Sequence, residues 1–149
     1  MAHTFTNLWF HVIFGTKGRV PLIDADIRGP LHAYLGGIVR ELNGIAIGVN
    51  GTADHVHALI KLPPTLPIAD ALRVVKTNSS KWVHEKHRRP KFGWQAGYAA
   101  FTVSESGVRT VRSYIERQEQ HHRKKTFADE YIEFLEKNHV PYDPRYVFE

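Results

Sequence analysis

Apolar residues fall into two kinds of pattern along the chain. Leu8 to Phe14 is aromatic and β-branched, which predicts a buried strand ending at Gly15. Strict alternation marks residues 54–62: Val56, Ala58, Ile60 and Leu62 point one way, and His55, His57, Leu59 and Lys61 the other, until Pro63-Pro64 ends the strand. Ile45 to Val49 predicts a short strand with Asn50-Gly51 as its turn. Tyr98 to Val103 predicts a fourth, after a loop from Gly93 to Gly97. Helical spacing takes over elsewhere. Pro30 opens one helix through Leu31, Tyr34, Leu35, Ile38 and Leu42, and Asn43-Gly44 closes it. A second, from about Pro67 to His87, buries Ile68, Ala71, Leu72, Val75, Trp82 and Val83. Ser104 caps a third that runs to about Gln120, and Phe127 to Lys137 forms a last short one before a proline-punctuated tail.

The order β-α-β-β-α-β followed by further helices is that of a ferredoxin-like α+β fold. The expectation is an antiparallel sheet with helices on one face and a C-terminal helical extension carrying Tyr114. It is one domain over residues 1–149, with its core at about 7–120. In this topology the first and third strands are central, so the polar face of the third lies mid-sheet.

Composition narrows the function. Seventeen large aromatic side chains and 42% hydrophobic residues are enough for a packed core, which excludes disorder. The absence of cysteine excludes disulfide scaffolds, cysteine-ligated zinc, iron–sulfur clusters and thiol chemistry. No apolar run approaches the roughly 20 residues of a membrane span, and the N-terminus lacks a basic start and a cleavage site. A cytoplasmic protein with no membrane partner is expected. The net charge is +5, unevenly spread: residues 126–149 hold two bases and six acids, and residues 1–125 hold 18 bases and nine acids. A basic body points to a polyanionic partner, nucleic acid first.

Three groups of residues could carry chemistry. His55 and His57, two apart on a strand, share one face with their Cα atoms about 6.5–7 Å apart. Two imidazoles so placed suit either a metal ion or a half-exposed strand without one. Leu59 in place of a third histidine excludes the histidine-triad hydrolases, and the lack of a second His-x-Thr/Ser copy excludes the two-motif phosphoesterases. Asp54 precedes the pair, and His11 has the parity to join it from the first strand. On the third helix, Tyr114 and Gln118 lie at i and i+4 beside the stripe of Val108, Val111 and Ile115. That pair suits either a shared small volume or a rim aromatic beside a solvated amide. The third group is the run from Lys81 to Trp94, with five Lys/Arg against one acid. Trp82 belongs with the core, whereas Phe92 and Trp94 offer stacking faces for unpaired bases. A smaller basic cluster follows the tyrosine: Arg117, His121, His122, Arg123, Lys124 and Lys125.

Taken in order, these motifs resemble the single-tyrosine HUH transposases of bacterial insertion sequences, a group related to the REP-associated tyrosine transposases. The likeness rests on Phe14-Gly15-Thr16-Lys17-Gly18-Arg19, Asp54-His55-Val56-His57-Ala58-Leu59-Ile60, Gly93-Trp94-Gln95-Ala96-Gly97-Tyr98 and Tyr114-Ile115-Glu116-Arg117-Gln118. It spans roughly Leu8 to Gln120. The resemblance implies that Tyr114 is the nucleophile, with His55, His57 and Gln118 as ligands of Mg²⁺ or Mn²⁺. It further implies cleavage and rejoining of single-stranded DNA through a 5′-phosphotyrosine, recognition of hairpins at element ends, and homodimers whose active sites are shared between subunits. Imidazole ligands alone would favour Zn²⁺, Ni²⁺ or Mn²⁺, and Mn²⁺ satisfies both arguments. Lys17, Arg19, Lys76, Lys81, Arg88, Arg89, Lys91, Trp94 and Arg112 are the residues expected against DNA, and Arg112 is also a candidate to activate the Tyr114 phenol. The motifs assign no role to His11, His121, His122 or the acidic tail.

Two other readings stand beside this one. A domesticated relative would process genomic hairpins without mobilising itself. A non-catalytic nucleic-acid-binding module would stack bases on sheet aromatics, but the third strand displays histidines and a lysine in their place.

Overall fold

The computed structural model describes residues 2–149. Four strands, β1 (Leu8–Gly15), β2 (Ile45–Thr52), β3 (His55–Leu62) and β4 (Ala99–Val103), form one antiparallel sheet in the order β2-β3-β1-β4. This is the ferredoxin-like order, with β1 and β3 at the centre. Their register sets Ile13 opposite His57 and Gly15 opposite His55.

Alternation along β1 and β3 sorts the side chains by face. Val12, Phe14, Val56, Ala58 and Ile60 point into the main core. There they meet α1 (Ala25–Glu41) through Ile27, Leu31 and Leu35, and α2 (Ile68–Lys86) through Leu72, Val75 and Val83. The opposite face is covered as well. The helices α3 (Val108–Glu116), α4 (Gln118–His121) and α5 (Phe127–Lys137) lie over it. Ile115 packs on Trp9 and Leu59, and Phe127, Tyr131 and Leu135 pack on Ile13, Ala99 and Phe101. The expectation of helices on one face therefore holds for α1 and α2, and a second layer closes the histidine face.

Several boundaries differ from the sequence reading. α1 starts five residues before Pro30, because the Asp24 carboxylate accepts from the backbone N–H of Asp26 and Ile27 and caps the helix earlier. Asn43, at φ 63°, takes the left-handed position after α1. Gly44 serves a different need: a Cβ there would stand 2.7 Å from the Lys61 carbonyl. β2 runs through Asn50-Gly51 to Thr52, and the reversal falls at Ala53-Asp54. Gly51 is a point of close strand approach, where a Cβ would meet the His55 carbonyl oxygen at 2.1 Å. Ser104 precedes a 3₁₀ turn (Glu105–Gly107) and pairs with the Ser106 hydroxyl instead of capping a helix. The single third helix is in fact two, broken at Arg117 (φ −101°, ψ 21°). Among the described residues, no helix is long and apolar enough to cross a membrane.

Candidate metal centre and nucleophile

β3 delivers His55 and His57 to the buried middle of the second face, both fully enclosed. The break at Arg117 turns the chain so that Gln118, also at 0% exposure, points inward beneath Tyr114. Gln118 Oε1 lies 2.9 Å from His55 Nε2 and 3.0 Å from His122 Nε2. Tyr114 and Gln118 thus share one volume, as their spacing suggested, although they sit on separate helices.

The residue that joins them comes from α5. Glu130 is 1% exposed. Its Oε1 is 2.8 Å from His57 Nε2 and 3.1 Å from His122 Nε2, and Gln118 Nε2 donates to its Oε2 at 3.4 Å. Its Oε2 also accepts a hydrogen bond from the Tyr114 hydroxyl. One carboxylate therefore bridges the histidine cluster and the phenol. His121 Nε2 approaches the same hydroxyl at 3.2 Å, and His11 Nε2 stands 2.8 Å from His57 Nδ1, behind the pair. Phe134 closes one side, its ring centroid 5.1 Å from that of His11 and 5.6 Å from that of Tyr114.

Tautomers follow from what each outer nitrogen faces. Asp54 Oδ1, 2.8 Å from His55 Nδ1, only accepts, so His55 Nδ1 carries the proton. The Lys125 carbonyl, 2.7 Å from His122 Nδ1, makes the same demand there. In the neutral ring His55 Nε2 is then a bare acceptor, and it faces the Gln118 carbonyl oxygen at 2.9 Å. Acceptors converging on acceptors call for a shared cation. One ligand atom from each of His55, His57, His122 and Glu130 lies within 4.8 Å of all the others. The residues fit a divalent metal, and the outer partners Asp54, Lys125 and His11 orient its ligands. Glu130 changes the electrostatics expected of the site. The set His55, His57 and Gln118 is neutral, whereas Glu130 adds a negative charge to it.

Titration shifts agree with this arrangement. Burial holds His57 down to about 4 against the pull of Glu130, and burial holds His11 down to about 3. For Glu130, burial alone would raise the pKa, but hydrogen bonds from His122, His57 and Tyr114 carry it far below the usual carboxylate range. For His122, burial is outweighed by the Glu130 hydrogen bond and charge, so its pKa rises. Burial, then Glu130, pushes the Tyr114 phenol well above its ordinary value.

The residues expected against DNA divide in three ways. Lys17, Arg19, Lys81, Arg88 and Lys91 are exposed, with Arg19 over the Phe148 ring at 4.1 Å. Others are engaged within the protein. Lys76 donates to the carbonyls of Ala96 and Gly97 at 2.9 and 2.7 Å, and burial lowers its pKa to about 8. Arg89 pairs with Asp24. Arg112 pairs with Glu116 at 3.3 Å, so Glu130 and His121, not Arg112, are the groups that meet the phenol. The third outcome corrects the aromatic reading. Trp94 (9%) and Phe92 (4%) are buried, because Trp94 inserts its indole N–H toward Ser79 Oγ at 3.0 Å and sets its ring edge-on to Phe14 and Phe92. Trp82 is the half-buried ring, stacked on Tyr34 at 4.4 Å.

Glu130 lies on the short helix predicted from Phe127 to Lys137, in the acidic segment to which the motifs assign no role. The signal was its position: Phe127, Glu130, Tyr131 and Phe134 fall on one helical stripe, which puts a carboxylate on a face that is otherwise apolar.

The second face of a ferredoxin-like sheet thus brings a histidine pair and a tyrosine together. The fold is similar to that of a REP-associated tyrosine transposase solved with a REP hairpin bound, with a TM-score of 0.58 and 15% identity over 82% of this chain and 74% of that one. Residues 4–118 match the family described as transposase, IS200-like, and the chain belongs to that family. Among its relatives is the transposase for insertion sequence element IS200 of Salmonella typhimurium, 26% identical over 125 residues, 79% of this chain and 81% of that protein. The ISDra2 transposase TnpA of Deinococcus radiodurans is 28% identical over 119 residues, 75% of this chain and 84% of the relative.

Proposed function

We propose that this transposase is metal-dependent, acts on single-stranded DNA, and cleaves and rejoins it through a 5′-phosphotyrosine at Tyr114. The observation that carries the proposal is the shared carboxylate. Glu130 holds the Tyr114 hydroxyl with one oxygen and meets His57 and His122 with the other. His55, His57 and Gln118 would hold Mn²⁺ or Mg²⁺, with Glu130 and His122 completing the donor set. The two oxygen donors favour a hard ion and the imidazoles a softer one, and Mn²⁺ accommodates both. When bound, the ion polarises the phosphodiester and neutralises charge that develops on the departing oxygen.

The protein's own part is positional and protonic. With its pKa raised, Tyr114 waits as a phenol, and its hydrogen bond to Glu130 fixes the hydroxyl. As the Tyr114 Oη–P bond forms, the P–O3′ bond breaks. The phenol gives up its proton to solvent as Oη attacks, Glu130 holding the hydroxyl in place, and the departing 3′-oxygen takes one proton from solvent to leave as a hydroxyl, so the exchange is proton-neutral. Phosphodiester bond energy stays in the tyrosyl link, so a later 3′-hydroxyl rejoins the strand without ATP. The hairpin bound by the structural relative supports hairpin ends as the recognised substrate.

Tyr114 lies beside the histidines of its own chain, with its ring centroid 5.8 Å from that of His57. The dimer with shared sites implied by the resemblance is therefore not needed to assemble the chemistry, and we read the site as complete within one chain. The test is a denaturing gel of protein with labelled single-stranded DNA from the flanks of its own gene, in Mn²⁺ or EDTA. The expected result is a metal-dependent covalent adduct that Tyr114→Phe abolishes. Hairpin binding without an adduct would favour the non-catalytic module.

A further inference from the structure

Beside Tyr114 lies a cavity of about 460 Å³ lined by Tyr114, Arg117, Gln120, His121, Lys124 and Lys125. It is formed where the chain breaks after α3 and turns through α4. Three of its six walls are cations, and no acidic side chain lines it. Lys125 is held by Glu133 at the rim. Arg117 and Lys124 are exposed and take part in no ion pair among the described residues. His121 ties the cavity to the nucleophile, because its Nε2 is 3.2 Å from the Tyr114 hydroxyl. The same Nε2 is 3.3 Å from Glu130 Oε2, so the cavity adjoins the carboxylate that meets the histidines.

We infer that this cavity is the seat of a DNA backbone phosphate adjoining the scissile one, held by Arg117 and Lys124 while Tyr114 reacts. The inference rests on the function proposed above. The chemistry of the walls selects the ligand. Arginine offers a planar fork of donors that matches phosphate oxygens, and lysine adds a mobile point charge. Gln120 supplies an amide for the remaining oxygen or the sugar. Apart from Tyr114 and the His121 imidazole no aromatic ring lines the cavity, and its three cations suit a backbone phosphate better than a nucleobase. The contact is accordingly independent of sequence. It orients the strand by charge and leaves hairpin identity to be read elsewhere.

The experiment combines a double variant with a modified probe. Wild type and Arg117→Gln/Lys124→Gln are compared in the Tyr114→Phe background, by fluorescence anisotropy on a labelled single-stranded oligonucleotide from the gene's flank at several salt concentrations. Losing the contact to one phosphate should make the slope of log K against log salt shallower by about 0.7, the contribution of one such contact on a single strand. A second set of oligonucleotides carries one neutral methylphosphonate, placed in turn at each linkage near the cleavage site. One such position should weaken binding by the protein that keeps Arg117 and Lys124 and have little further effect on the double variant. An unchanged salt slope overturns the inference, and so do methylphosphonate effects that simply add to those of the substitutions. The parent reading fails differently. If protein with Tyr114 intact forms no metal-dependent adduct, the proposed chemistry falls whatever the salt slopes show.

Discussion

The two faces of the sheet are built by the same strands and obey opposite rules. On one, Val12, Phe14, Val56 and Ile60 meet α1 and α2 in a core of packed apolar side chains. On the other, residues one step along the same strands place His11, His55 and His57 under α4 and α5, with a buried carboxylate among them. The first face can relax around a lost methyl group. The second has a fixed number of donors and acceptors, and removing any one leaves another unpaired in a dry site. Scaffold and chemistry are thus separated by a strand period of two.

The largest effect that would break this contrast is on the nucleophile. Tyr114→Phe should eliminate the covalent adduct on a denaturing gel while the protein keeps its melting temperature within a few degrees. Mixing Tyr114→Phe with His57→Ala in equal amounts then asks whether the site is shared. No adduct should return if each chain uses its own tyrosine, whereas recovery to a substantial fraction of wild type would place Tyr114 against a partner's histidines.

Next in size is the metal centre. His57→Ala should abolish Mn²⁺ binding measured by calorimetry, as well as cleavage, while hairpin binding by anisotropy largely survives. Glu130→Gln keeps the shape and removes the charge. It should weaken Mn²⁺ binding and lower stability to urea by about 1–3 kcal/mol, the range for a hydrogen-bonding partner lost from a buried site. By contrast, Leu72→Ala on the apolar face should cost about 2–5 kcal/mol of stability and leave adduct formation per folded molecule unchanged. Equal losses of activity from Leu72→Ala and Glu130→Gln would erase the division between the faces.

The period of two made that division legible in advance. Strand β3, its two faces and the position of His11 follow from alternation alone, and the helix Phe127–Lys137 lies where its stripe predicted. Other features were set by contacts that no local pattern records. Asn50-Gly51 has the composition of a turn, yet Gly51 is needed where β2 crosses close to the His55 carbonyl. Trp94, in a glycine-flanked basic loop, reads as an exposed platform, and only the distant Ser79 hydroxyl draws it inside. Glu130 was legible as a carboxylate on an apolar stripe, but its partners lie on β3, α3 and beyond α4, and tertiary contact alone assigns its role.

Acid offers a milder test of the same contrast. His11 and His57 hold folded pKa values of about 3 and about 4, below the ordinary 6.5. Between pH 6.5 and about 4 the folded chain therefore binds fewer protons than the unfolded one, so stability is present at neutral pH and declines as pH falls. Glu130 acts in the same direction, since its depressed pKa makes its contribution one that is lost on acidification. Melting temperature should drop progressively from pH 7 to pH 4 in metal-free buffer. His11→Gln should flatten that drop, and Leu72→Ala should shift the whole curve down without changing its shape.

The smallest expected effects lie outside both faces, among cations that look alike in sequence. Arg88 and Arg89 are neighbours, but Arg88 is exposed whereas Arg89 is paired with Asp24, the residue that caps α1. If single-stranded DNA passes this loop, Arg88→Gln should reduce the salt slope of binding by about 0.7, one phosphate contact. Arg89→Gln should leave the slope nearly unchanged and loosen the start of α1 instead, seen as faster amide exchange at Asp26 and Ile27. The reverse pattern would mean that Arg89 leaves Asp24 for phosphate when DNA binds, which would tie the α1 cap to the DNA-bound state.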